Sequence, residues 1–173
     1  GENIEGEWKN GIEWNTTHTN KDGIIVGNWE NGRWKLKWGN LFLIEKDGKW
    51  GWYEEGDKNK HSNYLGSVVR GAPSGQGELT FLDGESYIGE FDKGRFNGLG
   101  TYSWSDGSEY KGHYENGIKS GEGTYTYSNG NKYEGEYDAN KQNGEGNLTF
   151  VDGESYRGKF SNGKFNGQGK YTF

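Results

Sequence analysis

A glycine pair of the form Gly-x-Gly returns every 23 residues: Gly75/Gly77, Gly98/Gly100, Gly121/Gly123, Gly144/Gly146 and Gly167/Gly169. A fixed period of this size describes an array of small supersecondary units, none of which can bury an apolar face alone. It directs attention away from a single catalytic pocket and toward a long, repeated surface.

Within one period the residues read as a hairpin. Tyr87-Ile-Gly-Glu-Phe91 alternates as a short strand, Asp92–Asn97 reads as a loop, and Gly98-Leu-Gly-Thr-Tyr-Ser-Trp104 reads as the returning strand. Asp106-Gly107 then turns the chain into the next unit. Aromatic and threonine enrichment, period-two alternation and bounding glycines are strand signals, and helical apolar spacing is absent from this part. The units run 64–86, 87–109, 110–132, 133–155 and a truncated 156–173. The expected fold is all-β, a row of consecutive antiparallel hairpins forming one domain.

Composition sets the thickness of that sheet. Only 28% of the residues are hydrophobic, 33 are glycine, and mean hydropathy is −1.17. A compact domain carries about 45–50% apolar residues, glycine included. Eight Trp, twelve Tyr and eight Phe at regular spacing argue against disorder and for a single layer covered by its own rings.

Two glycine positions and one parity argument sharpen the expectation. Gly71, Gly94, Gly117 and Gly163 recur in the loop, and Asn140 replaces glycine in the fourth unit. Asn tolerates positive φ better than other residues, so this position is predicted to be left-handed. The strand glycines Gly66, Gly89, Gly112, Gly135 and Gly158 make sense if a neighbouring ring lies over bare backbone. An odd-numbered turn, expected as a three-residue loop with a glycine bulge, keeps Tyr87, Phe91, Tyr102 and Trp104 on one face. Glu90, Asp92, Ser103 and Ser105 then take the solvated face.

The pattern Tyr-x-Gly-x-[Phe/Tyr]-x-x-Gly-x-x-x-Gly-x-Gly-x-[Leu/Tyr]-x-[Phe/Trp/Tyr]-x-Asp-Gly, as in residues 87–107, resembles the MORN (membrane occupation and recognition nexus) repeat. Five copies cover 64–173. The resemblance implies an elongated, twisted, single-layer sheet of hairpins used mostly as a protein-binding scaffold. Some members sit at membranes and some self-associate end to end.

Residues 1–63 depart from the pattern. They keep Gly-x-aromatic-x-x-Gly fragments at Gly6–Gly11, Gly27–Gly32 and Gly51–Gly56, but lack the Gly-x-Gly of the return strand. These read as degenerate hairpins capping the array. Seven of the eight Trp fall here, together with the apolar run Leu41–Ile44.

The net charge of −6 and the absence of a basic stripe argue against nucleic acid and disfavour docking on anionic lipid. Zero cysteine excludes disulfides and thiolate metal sites, and no apolar run approaches the roughly 20 residues of a membrane-spanning helix. Cytoplasmic or membrane-peripheral placement is favoured over secretion, although a chain opening at Gly1 leaves room for a removed leader. His18, His61 and His113 stand apart, and no nucleophile elbow or phosphate loop occurs. Asp83, Asp106, Asn129 and Asp152 read as turn residues rather than calcium ligands. No cofactor, metal or catalytic residue is expected.

The expected function is therefore a non-enzymatic scaffold for a protein partner or a second copy, acting through an aromatic groove or an exposed sheet edge. The candidate groove residues are Tyr87, Phe91, Trp104, Tyr110, Tyr114, Tyr127, Tyr133, Tyr137 and Phe150. The alternatives are carbohydrate binding by Trp29, Trp34, Trp38, Trp50 and Trp52, or peripheral attachment to a lipid surface.

Overall fold

The computed structural model describes the backbone of residues 3–19, 25–30 and 33–173, and the side chains of 4–12 and 39–173. Among the described residues there is no helix. The strands are β1 (Asn3–Lys9), β2 (Ile12–Thr19), β3 (Ile25–Glu30), β4 (Arg33–Lys46) and β5 (Lys49–Tyr53). The array continues with β6 (Ser62–Val69), β7 (Ala72–Thr80), β8 (Ser86–Asp92), β9 (Arg95–Ser103) and β10 (Glu109–Glu115). It ends with β11 (Ile118–Thr126), β12 (Lys132–Asp138), β13 (Lys141–Thr149), β14 (Ser155–Ser161) and β15 (Lys164–Thr172). All pair antiparallel in sequence order in one open sheet, except that β4 bridges the register, pairing β3, β5 and β6.

Two kinds of turn alternate along the array. Within a repeat the connection is shorter than the sequence implies. Asp92 pairs Arg95 directly, so the loop is Lys93-Gly94 and not Asp92–Asn97. Both residues have positive φ, 48° and 81°, which is the two-residue hairpin turn matched to strand twist. The predicted left-handed position holds, at Gly71, Gly94, Gly117 and Gly163 and at Asn140 with φ 68°. A two-residue turn alone would leave the later strand out of step, and a bulge corrects it. Gly89 pairs Gly100 while Phe91 pairs Phe96, so Asn97-Gly98-Leu99 face the single residue Glu90. Two extra residues preserve side-chain parity.

Between repeats the connection is the expected three-residue loop with a glycine bulge. Trp104 N–H donates to the Ser108 carbonyl at 2.9 Å, and Gly107 N–H donates back to the Trp104 carbonyl at 3.1 Å. Asp106 Oδ1 accepts from Ser108 N–H at 2.8 Å and Ser108 Oγ at 2.6 Å, and these bonds lower its pKa. Tyr102 therefore opposes Tyr110, and Trp104, Tyr110 and Tyr114 belong to one cluster on one face.

The core is that row of rings. Tyr64, Tyr87, Tyr110 and Tyr133 are fully buried at the first position of their repeats. Each ring lies over a cross-strand glycine pair; a Cβ on Gly89 or Gly100 would collide with the Tyr87 ring or the facing backbone. The phenol then reaches the bulge, where the ladder is broken. Tyr87 Oη donates to the Glu90 carbonyl at 2.9 Å, Tyr110 Oη to His113 at 3.2 Å and Tyr133 Oη to Glu136 at 3.0 Å. The ring at position five couples neighbouring repeats. Tyr114 stands edge-on to Tyr110 of its own repeat at 5.2 Å and to Tyr87 of the preceding one at 5.3 Å. Tyr137 does the same between Tyr133 and Tyr110. The opposite face carries Glu90 as expected, but also exposed Leu65, Ile88 and Leu99.

Three substitutions should change stability. Gly123→Ala is expected to cost about 2–3 kcal/mol, because its Cβ has no place beneath Tyr110. Tyr110→Phe, which keeps the ring but orphans the His113 carbonyl, should cost about 1–2 kcal/mol. Urea unfolding of the two variants checks both the sizes and their order. At the fourth repeat's turn, Ala139 sits at φ 48°, where Asn116 and Asn162 stand in the third and fifth repeats. Ala139→Asn should stabilise by about 0.5–1 kcal/mol, read as a higher urea midpoint at unchanged slope.

Candidate interaction surface

The structure divides the nine candidate groove residues into two rows. Tyr87, Phe91, Tyr110, Tyr114, Tyr133 and Tyr137 are buried floor, packed against glycines and one another. Trp104, Tyr127 and Phe150 are half-buried, nearer the turns between repeats. Phe81, Tyr102 and Tyr125 join them there, and this outer row is the ring area that solvent reaches. Its members touch in sequence: Tyr102–Trp104 at 4.6 Å, Trp104–Tyr125 at 5.2 Å and Tyr125–Tyr127 at 4.6 Å between centroids.

The tenth position of each repeat decides what covers the floor. Phe96 stacks on Tyr87 at 3.8 Å with an interplanar angle of 12°, and Phe165 stacks on Tyr156 in the same way. In the third repeat this residue is Lys119, and in the fourth it is Gln142. Lys119 Nζ lies over three rings, 4.4 Å from the Trp104 centroid, 4.7 Å from Tyr110 and 4.8 Å from Tyr125. Burial pushes its pKa down to about 8, while the three ring faces favour the ammonium and act the other way. Gln142 Nε2 instead donates to Tyr127 Oη at 2.9 Å. Tyr114, directly across the strand pair from Lys119, has a buried hydroxyl with no hydrogen-bond partner. Lys119 was missed in the sequence; its only signal is a charge where Phe96 and Phe165 stand in register.

Charge is unevenly distributed between the two long margins of the sheet. The turns between repeats (81–86, 104–109, 127–132, 150–155) carry Asp83, Glu85, Asp106, Glu109, Asp152 and Glu154 against the one cation Lys132. The turns within repeats (69–72, 92–95, 115–118, 138–141, 161–164) carry five cations against three carboxylates. The acidic margin borders the outer row. Tyr102 Oη donates to Glu85 and Tyr171 Oη to Glu154, and burial followed by the Glu85 bond raises the Tyr102 pKa.

Of the tryptophans proposed for sugar, Trp50 and Trp52 have described side chains. Trp50 is 67% exposed, whereas Trp52 packs edge-on to Tyr64 at 6.0 Å beside the core. The side chains of Trp29, Trp34 and Trp38 lie outside the described ones. On the opposite face, Ile88, Thr101, Lys111 and Glu134 line a shallow, open groove of about 750 Å³. No cluster of three or more potential metal ligands occurs among the described residues, and none of their helices could cross a membrane, since they form none.

A one-layer sheet of repeated hairpins, with glycine pairs under tyrosines and a ring row along one margin, defines a repeat-array protein that presents a long repeated surface. A family model described as the MORN repeat matches residues 5–14, 64–86, 87–109, 110–132, 133–155 and 156–173. The chain belongs to the MORN repeat family, whose repeats occur in scaffold and interaction proteins and which is generally non-enzymatic. No curated protein matches the chain.

The buried amine and phenols set the response to pH. Unfolded Lys119 holds its proton to about 10.5 but the folded protein releases it near 8, so folding gains stability as pH rises between those values. Tyr64 and Tyr110 are pushed up to about 12 by burial, whereas unfolded tyrosine ionises near 10. Stability is therefore lost as pH rises above 10. The expected profile rises from about pH 8 and peaks near pH 10. Lys119→Met should abolish the rise and leave the alkaline fall, in urea titrations across that range.

Proposed function

We propose that this protein is a non-enzymatic scaffold that binds a protein partner along the outer ring row. The carrying observation is the contiguous run Tyr102–Trp104–Tyr125–Tyr127, half-buried on a sheet that no second layer covers among the described residues. Contiguous partly exposed aromatic area is the usual mark of an interaction site. Tyr and Trp offer large rigid contact area together with a polar tip. The buried floor positions act beneath the row: they hold its rings at fixed spacing and touch no partner.

A photo-crosslinking residue placed at Tyr127 or, on the other face, at Thr124 tests the assignment in native extract. Adducts are expected from position 127 alone and should fall at least about tenfold in the Trp104→Ala background, as for a central aromatic contact. Equal adducts from both faces, or none from position 127, would overturn the reading. Light scattering over a range of concentrations separates a second copy of the chain from a different partner.

A further inference from the structure

The outer row is more than an apolar strip, because its chemistry is that of a cation receptor. Aromatic faces attract ammonium and guanidinium groups, most strongly where water is partly excluded. The molecule already contains one such contact, since Lys119 Nζ rests on Trp104, Tyr110 and Tyr125 within 4.8 Å of each centroid. None of the ion pairs among the described residues involves Lys119. The rings themselves hold its charge. Beside this row runs the acidic margin, with Glu85 bonded to the Tyr102 phenol of the row and Glu154 to Tyr171, which packs against Phe150 at its end. A cation lying on the rings would thus meet carboxylates at its flank.

Resting on the reading of this row as the binding face, we propose that it recognises an extended segment of a partner protein bearing Lys or Arg at every third residue. The spacing comes from the sheet. Equivalent rings of successive repeats, such as Trp104 and Tyr127, are two strands apart, which is about 9.6 Å at the usual strand separation. A segment extended as polyproline II advances about 3.1 Å per residue with three residues per turn, so every third side chain points the same way and three residues span about one repeat. A cation at each third position meets one ring set in turn and, except at 127–132, where Lys132 stands and no carboxylate does, an acidic turn beside it. In the third repeat that place is taken by Lys119, and in the fourth Gln142 leaves it uncharged. Lys119 therefore occupies one of the places a ligand cation would use and repels its neighbours.

Fluorescence anisotropy with the whole chain and labelled twelve-residue peptides tests this. The probes are four repeats of Arg-Pro-Ala, the same composition with the arginines adjacent, and versions carrying Gln or Glu in place of Arg. The spaced arginine peptide should bind at least about tenfold more tightly than the Gln peptide, with affinity falling as salt is raised. Three partly desolvated cation–π contacts are ample for that factor. The variant Asp83→Asn/Glu85→Gln/Asp152→Asn/Glu154→Gln should lose about tenfold. Its turns stay intact, because Asn129 already accepts the equivalent turn bond from Asn131 N–H at 3.0 Å. Lys119→Gln, which copies the fourth repeat, should tighten binding about threefold or more by vacating the rings. Equal binding of the adjacent-arginine or Gln peptide, preference for the Glu peptide, or weakening by Lys119→Gln would each overturn the proposal. A protein crosslinked at position 127 through a segment without spaced cations would overturn it too, while leaving the scaffold reading in place.

Discussion

Everything in this molecule rests on a tyrosine lying flat over two facing glycines. At Tyr110, Gly112 and Gly123 the two bare Cα atoms pair across adjacent strands, and the ring occupies the volume that two Cβ atoms would need. Glycine in a strand interior normally weakens it, since no side chain packs there. Here the ring supplies the missing packing, and its hydroxyl satisfies a carbonyl that the bulge has freed, His113 in this repeat. One side chain thereby replaces both the second layer of a sandwich and the missing rung of the ladder. The arrangement recurs every 23 residues because two strands, one tight turn and one glycine-bulged turn are the shortest unit that contains it.

Coupling between units follows from the same geometry. The edge-on ring at position five, Tyr114 or Tyr137, contacts the flat ring of its own repeat and that of the one before. Edge-to-face contacts of this kind contribute about 0.5–1.5 kcal/mol beyond their buried area. Stability in such an array is shared between units and the interfaces joining them, so a defect at one flat tyrosine weakens both its own unit and the interface to the next.

Much of this was legible before any coordinates. The period, the hairpin units and the left-handed position shared by Gly94 and Asn140 all follow from which residues substitute for one another at one spacing. So does the odd-numbered turn after Trp104, because parity must keep aromatic sets together. The bulge opposite Glu90 was not legible, since Asn97 reads as the end of a loop and Gly98-Leu99 as the regular start of the returning strand. Nor was the split of the rings into floor and outer row. Alternation shows that Tyr110 and Tyr125 share a face, but not that Tyr110 folds back over Gly123 and disappears while Tyr125 stays partly open. Lys119 escaped for a related reason. A lysine in a polar, glycine-rich strand looks like an ordinary surface residue until the rings beneath it are located.

Net charge conceals the feature that bears most on function. A value of −6 spread evenly would say little about partners. The alternation of turn types sorts it instead, sending carboxylates to the turns between repeats and most of the turn cations to the opposite margin. The two margins are separated by a strand length, about 20–30 Å for strands of seven to nine residues, well beyond the screening length at physiological salt. Each margin therefore presents its own potential to an approaching chain. The half-buried rings lie along the acidic margin, so on the proposed reading hydrophobic contact and electrostatic attraction would act on the same segment of a partner. That coincidence, more than the size of the ring row, is what would let a shallow surface discriminate between partners.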